Sequence, residues 1–388
     1  MSSPSSPHRP RLYYVVDWLP PDFGAIGQYA IGFARDLASS GRQVYIVGLT
    51  SGRSQTESER FASGGSLEVI RVAASTYDKT NYVSRLNWIL KTNFRLMGTV
   101  MRASRARRSE ILFTGAPPFM LYFAVLAKYL LGAHLIYRIT DFYPEVVFAE
   151  LGRKPLLLGL LERLTWFMRR RVDVFQALGE DQRELLLAGG IPLDRIVLKR
   201  DFSPVPITGD ETPMAVPEAL RGHKLLLYSG NYGVAHEVDT VVEGLLRHHR
   251  TGTGRFALWL NGSGANIDRV YGRLRSEGVP VARTQPVPLD KLPSLLAAAD
   301  LHLITLRRQF SGIVLPSKVY ACIASRRPIL FVGPESSDVH RLCLEASSTR
   351  YERIEPGDVA AFAATLERLL TVSGSEQRQQ SALREAAG

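Results

Sequence analysis

The first half of the chain alternates short apolar runs with segments of helical period. Leu12–Asp17 (LYYVVD) is a run of aromatic and β-branched residues that ends at Asp17 and a Pro-Pro turn. From Ile26 to Ser39 the apolar positions Ile26, Tyr29, Ala30, Phe33, Ala34 and Leu37 share one helical face. Gly41 stops that helix, and Gln43–Gly48 (QVYIVG) is a second strand-like run. Strand, glycine turn, helix and strand within about 40 residues make a βαβ unit, which implies a parallel sheet. Runs at Leu67–Val72, Glu110–Phe113, His134–Ile139 and Val174–Ala177 continue the alternation. The most apolar stretch, Pro117–Tyr137, is broken by Lys128 and by Gly132–His134. A membrane-spanning helix needs about 20 predominantly apolar residues, so this stretch predicts a buried helix followed by a strand.

Between Ser203 and Gly222 (SPVPITGDETPMAVPEALRG) the periodicity fails and proline accumulates, which predicts an interdomain linker over 204–222. A second series then begins, with strands at Lys224–Ser229, Phe256–Leu260, Asp300–Thr305 and Pro328–Val332. Helices are expected between them at Val238–His249 and Leu289–Ala299, and a final helix at Val359–Leu370. A chain of 388 residues exceeds one ordinary core and suits two domains of roughly 180–200 residues. The expected organisation is a disordered lead-in over 1–10, an N-terminal domain over 11–203 and a C-terminal domain over 223–358. The segment 359–388 is expected to pack its helix back on the N-terminal domain and to end in a loose tail. Open α/β sheets bind ligands beyond the carboxyl ends of their strands. The fold class expected is therefore α/β, two Rossmann-like domains facing across a deep cleft.

A formal net charge of +11 narrows the partners rather than the fold, leaving nucleic acid, anionic lipid and phosphorylated small molecules open. No aromatic-interleaved platform or recognition-helix motif supports nucleic acid. The two cysteines, Cys322 and Cys343, cannot build a disulfide framework and have no metal-ligand spacing around them, which fits a reducing, cytoplasmic compartment. Met1–Pro10 has no apolar core and does not read as a signal peptide. Two basic stretches are amphipathic. Tyr82–Arg108 sets Leu86, Ile89, Leu90 and Phe94 among Arg85, Lys91, Arg95 and Arg102, and Lys154–Arg171 sets Leu156–Leu161, Trp166 and Phe167 beside Arg169–Arg171. Each reads either as an ordinary helix with a basic outer face or as a helix suited to an anionic membrane surface.

Candidate chemistry collects at the predicted strand ends. Pro20–Gln28 (PPDFGAIGQ) joins the first strand to the first helix, with Gly24 and Gly27 able to turn backbone N–H groups toward an anion. Its G-x-x-G spacing is not the dinucleotide fingerprint. Leu227–Gly233 (LYSGNYG) and Leu260–Gly264 (LNGSG) repeat the strand-to-glycine pattern in the second half. Each loop taken singly also reads as a plain tight turn. In Phe310–Pro328 (FSGIVLPSKVYACIASRRP), Ser311–Gly312–Ile313 is a turn whose N–H groups could meet a diphosphate, and Pro316, Ser317 and Lys318 open a helix. Lys318 would add a full charge where phosphate oxygens gather, or be a solvated lysine. In Ile139–Glu145 (ITDFYPE), Asp141 and Glu145 stand just past a strand, as Asp17 does in the first. A carboxylate there could bind an acceptor hydroxyl or take its proton, or merely cap a turn.

Taken in order, these segments resemble the GT-B glycosyltransferases of the family 4 type, among bacterial enzymes of capsule, exopolysaccharide and O-antigen assembly, including the colanic-acid branch. The resemblance extends over nearly the whole chain and includes VPLDKLPSLLAAADLHLITL and GIVLPSKVYACIASRRPILFVGPESSD. It implies a donor site mainly in the second domain, lined by Gly230, Asn231, Tyr232, Gly233, Gly262 and Gly264, with Pro286 and Val287 where these enzymes hold the base. Ser311, Gly312, Ile313, Ser317 and Lys318 would meet the diphosphate or sugar, and Gly24, Ala25, Ile26 and Gly27 would close on the diphosphate from the other domain. Asp141, Glu145 and Asp17 would serve the acceptor in the first domain. Two departures stand out. Ile313 and Ala321 occupy the places of two glutamates that many members carry, and His236 and Glu237 stand where a Lys or Arg often follows the LYSGNYG turn. The diphosphate would then lean on Lys318 and backbone amides.

The reaction implied is transfer of a sugar from an NDP-sugar, UDP- or GDP-linked, to a membrane-borne glycan carried on a polyprenyl diphosphate. The family outcome is retaining and needs no metal or other cofactor. The partners expected are that donor, that lipid-linked acceptor and an anionic membrane surface at the inner face of the plasma membrane, and no nucleic acid. The competing readings are a GT-B sugar-nucleotide epimerase or phosphorylase, and a non-catalytic nucleotide-sugar- or nucleic-acid-binding module.

Overall fold

A computed structural model of the chain describes residues 10–22, 27–75, 82–103, 109–346 and 349–370. The lead-in up to residue 9, Gly24, Ala25 and Ile26 of the first glycine turn, residues 104–108 of the first basic stretch and the tail from 371 lie outside the described residues. The chain divides into two compact units between Arg200 and Asp201, and each has its own sheet.

The first unit opens with β1 (Leu12–Trp18), α1 (Gly27–Ser39), β2 (Gln43–Thr50), β3 (Gln55–Arg60) and β4 (Ser66–Ala73). It continues with α2 (Tyr82–Ala103), β5 (Glu110–Thr114), α3 (Met120–Leu131), β6 (His134–Ile139), α4 (Glu145–Leu151) and α5 (Leu156–Arg169). β7 (Val174–Ala177), α6 (Glu180–Ala188) and β8 (Ile196–Leu198) complete it. The strands lie in the order β3-β4-β2-β1-β5-β6-β7-β8, parallel except for β3, which runs antiparallel to β4. The continuous apolar run of β1 is explained by its position. Tyr13, Val15 and Val16 are fully buried, as a central parallel strand covered on both faces requires.

Crossover direction then sorts the helices. The connection from β1 to β2 moves toward the β3 edge, whereas β4 to β5, β5 to β6 and β6 to β7 all move toward the β8 edge. Right-handed connections therefore place α1 on one face and α2, α3 and α5 on the other. Accordingly α1 packs on β1, β2 and β4, while α3 packs between α2 and α5. The helix expected within Pro117–Tyr137 forms as α3, but it is buried on one side only. Leu126, Tyr129 and Leu130 are 58%, 66% and 60% exposed, because nothing among the described residues covers that side.

The second unit contains β9 (Lys224–Asn231), α7 (Asp239–Thr251), β10 (Phe256–Ser263), α8 (Ala265–Ser276), β11 (Val281–Thr284) and α9 (Leu292–Ala297). β12 (Leu301–Thr305), α10 (Lys318–Ala324), β13 (Ile329–Val332), α11 (Asp338–Glu345) and β14 (Tyr351–Ile354) follow, and a last helix, α12, covers 359–370. All strands are parallel, in the order β11-β10-β9-β12-β13-β14. The proline-rich stretch expected as a linker is fastened to this unit. Ile207, Met214 and Val216 pack against the cluster of Leu225, Leu227, Trp259 and Leu295, and the Met214 N–H donates to the Ser294 carbonyl at 2.8 Å.

α12 corrects the expectation that the final helix packs on the N-terminal domain. Phe362, Leu366 and Leu369 are buried in the second unit's own core with Val241 and Leu245 of α7. Gly244 explains the choice of partner, since a Cβ there would lie 2.3 Å from the Phe362 ring. The bare backbone of α7 is the socket that this ring fills.

Removing a fully buried aromatic ring loses its transfer energy and leaves a cavity, at about 3–5 kcal/mol. Phe362→Ala is expected to destabilise the second unit by about 3 kcal/mol or more in urea unfolding.

Candidate functional site

Each sheet has one place where the strand order reverses, and a doubly wound sheet binds its ligand in the crevice beyond such a point. In the second unit this is the junction of β9 and β12. The loops leaving those strands contain Tyr232, Gly233, Ser311, Gly312, Ile313 and Ser317 of the residues the sequence singled out, and the second leads into Lys318.

β9 and β10 stay paired to their ends, with Gly230 opposite Gly262 and Asn231 opposite Ser263. The Tyr232 N–H donates to the Ser263 carbonyl at 2.6 Å, and the Asn266 amide donates to the Gly233 carbonyl at 2.8 Å. Gly264 is what permits this closeness, because a Cβ there would meet the Tyr232 backbone at 2.7 Å and the Asn231 amide oxygen at 2.5 Å. The two glycine loops of the sequence are thus one joined structure. Pro286 and Val287 follow β11 on its far side, where the Asn261 amide donates to the Gln285 carbonyl at 2.7 Å. Pro286 is exposed, and Val287 rests against the Trp259 cluster.

Lys318 reaches this joined turn from the start of α10. Its Nζ lies 3.2 Å from the centre of the Tyr228 ring, and its Cε and Nζ both stand 3.6 Å from where a Gly230 Cβ would be. At φ +122° Gly230 holds a backbone conformation suited to glycine, and any side chain there would press on the lysine. The Nζ is buried without a hydrogen-bond partner. Burial accordingly pulls its pKa from 10.5 down to about 7. Tyr228 stacks on Tyr232 with ring centres 4.0 Å apart, and the edge of His236 meets both.

His236 and Glu237 supply no cation here. The His236 Nδ1 donates to the Thr305 carbonyl at 2.8 Å, and burial, aided by the Lys318 charge, drives its pKa to about 3. Glu237 accepts from the Thr240 N–H and hydroxyl at 3.1 and 3.0 Å, fixing the start of α7. The Ser311–Gly312–Ile313 turn differs from the anion-binding turn expected of it. The Ser311 and Ile313 N–H groups are taken up inside the turn by the Arg308 and Phe310 carbonyls, and the Ser311 hydroxyl bonds that of Ser336. Ser317 is exposed one residue before Lys318.

Arg307 was passed over in the sequence. Its N–H donates to the Ala235 carbonyl at 2.8 Å and its guanidinium to the Val234 carbonyl at 3.2 Å, tying the β12 loop to the β9 loop. Its signal was position alone, two residues past the DLHLIT strand.

In the first unit the order reverses between β1 and β5. Asp17 lies near the end of β1, and burial lifts its pKa from 3.8 to about 6, with one carboxylate oxygen left unpartnered. Asp141 follows β6, and burial alone lifts its pKa to about 6 as well. Glu145 is placed differently. Its two oxygens accept from the fully buried Arg169, one at 3.0 Å, and Arg169 also donates to the Tyr143 carbonyl and lies over the Phe142 and Trp166 rings. Glu145 therefore joins α4 to α5, while Asp17 and Asp141 keep uncompensated carboxyls. Gly27 begins α1 hard against the end of β1, since a Cβ there would fall 1.9 Å from the Trp18 carbonyl oxygen. Among the described residues no group of three His, Cys, Asp or Glu side chains converges as a metal site.

Known proteins bear on this arrangement. No family model matches the chain. The probable glycosyltransferase WbjE of Pseudomonas aeruginosa is 25% identical over 256 residues, covering 63% of this chain and 62% of that protein. The putative colanic acid biosynthesis glycosyl transferase WcaI of Escherichia coli K12 is 26% identical over 148 residues, covering 38% and 35%. The matches thus span less than two thirds of either relative. Among solved structures, the lipopolysaccharide glycosyltransferase WaaG aligns over 93% of this chain and 90% of its own, with TM-score 0.60 and 16% identity. Anabaena Alr3699/HepE in complex with UDP and glucose aligns over 96% and 100%, with TM-score 0.55 and 10% identity. The fold is GT-B. Its two parallel-sheet units are those expected from the alternation of runs and helices.

The unpaired carboxyl of Asp141 has a measurable cost. Its folded pKa lies above its unfolded value, so the native state holds its proton longer and stability falls as pH rises from about 4 to about 6. Asp141→Asn is expected to unfold later than the parent above pH 6, by up to about 3 kcal/mol at 1.36 kcal/mol per pKa unit. The two proteins should coincide below pH 4 in urea titrations.

Proposed function

We propose that the protein is a glycosyltransferase of bacterial surface-polysaccharide synthesis that moves a sugar from an NDP-sugar to a hydroxyl of a lipid-linked glycan. The observation that carries this reading is the buried, unpartnered Lys318 ammonium at the β9–β12 junction. An uncompensated cation against a glycine turn is expensive in an empty protein and favourable beside a diphosphate. The names of the relatives support the glycosyltransferase reading, and the UDP complex of HepE supports a nucleotide-sugar donor, proposed to be UDP- or GDP-linked.

In this reading Lys318 meets the diphosphate and stabilises the charge that develops on it as the glycosidic bond to the sugar breaks. Arg307 and the glycine-lined ends of β9 and β10 flank it, with Pro286 and Val287 toward the base. Asp141 is the carboxylate proposed for the acceptor hydroxyl, with Asp17 as its companion on β1. Glu145, already bound to Arg169, holds the frame. The transfer is proposed to be retaining and to proceed without a metal, the lysine supplying the charge a metal would otherwise bring.

The membrane reading rests on the first unit. Leu86, Leu90 and Phe94 of α2, Leu126 and Leu130 of α3, and Leu156, Leu157 and Leu160 of α5 are exposed on neighbouring helices, with Lys91, Arg95, Arg163 and Arg170 exposed around them. Among the described residues no helix is long and apolar enough to cross a membrane. We propose peripheral docking of this face on anionic lipid at the inner face of the plasma membrane.

UDP- and GDP-sugars should raise the thermal midpoint selectively, and product analysis should show transfer rather than release of an epimerised sugar. Because Lys318 titrates near 7 when the site is empty, a bound diphosphate should raise its pKa and draw in a proton above that pH. Calorimetry in buffers of different ionisation enthalpy should therefore show proton uptake on UDP binding. Lys318→Ala is expected to abolish that uptake and weaken UDP by about tenfold or more, the scale of a lost charged hydrogen bond. Unchanged affinity would remove Lys318 from the site. Asp141→Asn should lower transfer far more than UDP affinity, and equal losses in both would count against its acceptor role. Leu156→Asp with Leu157→Asp should reduce sedimentation with phosphatidylglycerol vesicles.

A further inference from the structure

The first unit contains an apolar cavity of about 150 Å³ that the donor chemistry does not use. It lies between the turn after β5, the first residues of α3, the start of α4 and the inner side of α5. Phe119, Tyr122, Tyr137, Val147, Leu158 and Leu161 form much of its wall. We propose that this cavity receives the first part of the hydrocarbon chain of the acceptor's lipid carrier, holding the glycan-bearing head at Asp141. The inference rests on the lipid-linked acceptor reading given above.

Three observations favour a hydrocarbon occupant. The first is chemical. A sugar ring would need many polar partners, but the only polar side chains among the described residues of the wall are Tyr122, Tyr137, Tyr143 and Thr165. Of these, the Tyr122 and Thr165 hydroxyls are bonded to each other at 2.7 Å, with Thr165 donating on to the Leu161 carbonyl at 2.8 Å. An apolar cavity of this size stays dry and takes a group about as large as benzene, which is the scale of one isoprene unit.

The second is continuity outward. Leu158 and Leu161 line the cavity, while Leu157, Leu160 and Leu164 of the same helix are 77%, 60% and 44% exposed. α5 thus carries leucine both on its exposed side and on the side that lines the cavity, so the cavity lies just behind the face proposed to meet the membrane. Exposed Arg163 and Arg170 on or beside that helix would complement anionic lipid heads.

The third is continuity inward. Gly115 and Tyr137 line the cavity, and a Cβ on Gly115 would stand 3.5 Å from the Asp141 carbonyl oxygen and 3.4 Å from the Tyr137 hydroxyl. The inner wall is therefore in contact with the segment that bears the acceptor carboxyl. Tyr143 and Pro144 line the same wall, and the Arg169–Glu145 pair beneath them fixes α4 to α5 and so fixes the cavity's width.

The test uses the full-length chain and ethyl, isopentenyl, geranyl and farnesyl monophosphate, each below its micelle concentration, with inorganic phosphate as the chain-free control. Affinity by calorimetry should rise with chain length, by about fourfold for each methylene that enters the cavity, and then level off once the cavity is filled. Leu161→Trp, which fills the cavity, should weaken farnesyl monophosphate at least tenfold and flatten the series, while UDP affinity stays as in the parent. Val147→Trp fills the space from α4 and gives the same readout should Leu161→Trp lower the thermal midpoint. Equal affinity for all chain lengths in the parent would overturn the proposal. So would a series that survives both fillings but is lost in Leu156→Asp with Leu157→Asp, which would assign the chain to the outer face. Loss of UDP binding in the parent would instead refute the donor reading and leave the chain-length series to decide the cavity by itself.

Discussion

A buried amine with no hydrogen-bond partner is costly to keep charged, and the second unit holds one where its strand order reverses. Lys318 reaches the junction of β9 and β12 over the face of Tyr228, where only the ring's electrons meet it. The surrounding geometry preserves that isolation. His236 is held neutral by its own burial and by the Lys318 charge, Glu237 bonds the start of α7, and Gly230 keeps the space beside the Nζ free of side chain. Glu237 directs its carboxylate to Thr240 rather than to the lysine, so the Lys318 amine is left without a hydrogen-bond partner.

The first unit shows the complementary case. Burial lifts the pKa of both Asp17 on β1 and Asp141 after β6, strands of one sheet with β5 between them, whereas Glu145, four residues beyond Asp141, is neutralised by Arg169. Proximity in sequence gave the two carboxylates the same apparent standing, but only coordinates separate them. A buried ion pair of this kind positions helices and is poorly placed to exchange a proton. The two acids of the ITDFYPE segment differ in whether a guanidinium lies within reach.

What the sequence made legible was what periodicity encodes. Both series of parallel strands, the helix after each glycine turn and the grouping of Gly230, Gly264 and Lys318 follow from apolar runs and turn residues. Elements without that signal escaped. β11 (VART) and β14 (YERI) are short edge strands with few apolar residues, and β3 (QTESER) has none. Packing partners escaped as well. The stripe of Phe362, Leu366 and Leu369 announces a helix, but only the gap at Gly244 says which core receives it. At the Ser311–Ile313 turn the sequence reveals a turn but not that the Ser311 and Ile313 N–H groups bond carbonyls within it. Arg307 had no motif to mark it, and only the strand order places it beside the β9 loop.

The polar β3 strand has a consequence of its own. Every residue of QTESER is exposed, and the strand closes one end of the eight-stranded sheet in antiparallel register with β4. At the other end β8 is only three residues long. An open parallel sheet rich in valine and isoleucine would otherwise offer two sticky borders to its copies. The charged hairpin and the truncated last strand discourage edge-to-edge polymerisation, so that this unit can expose its apolar helices without also exposing long unpaired strands.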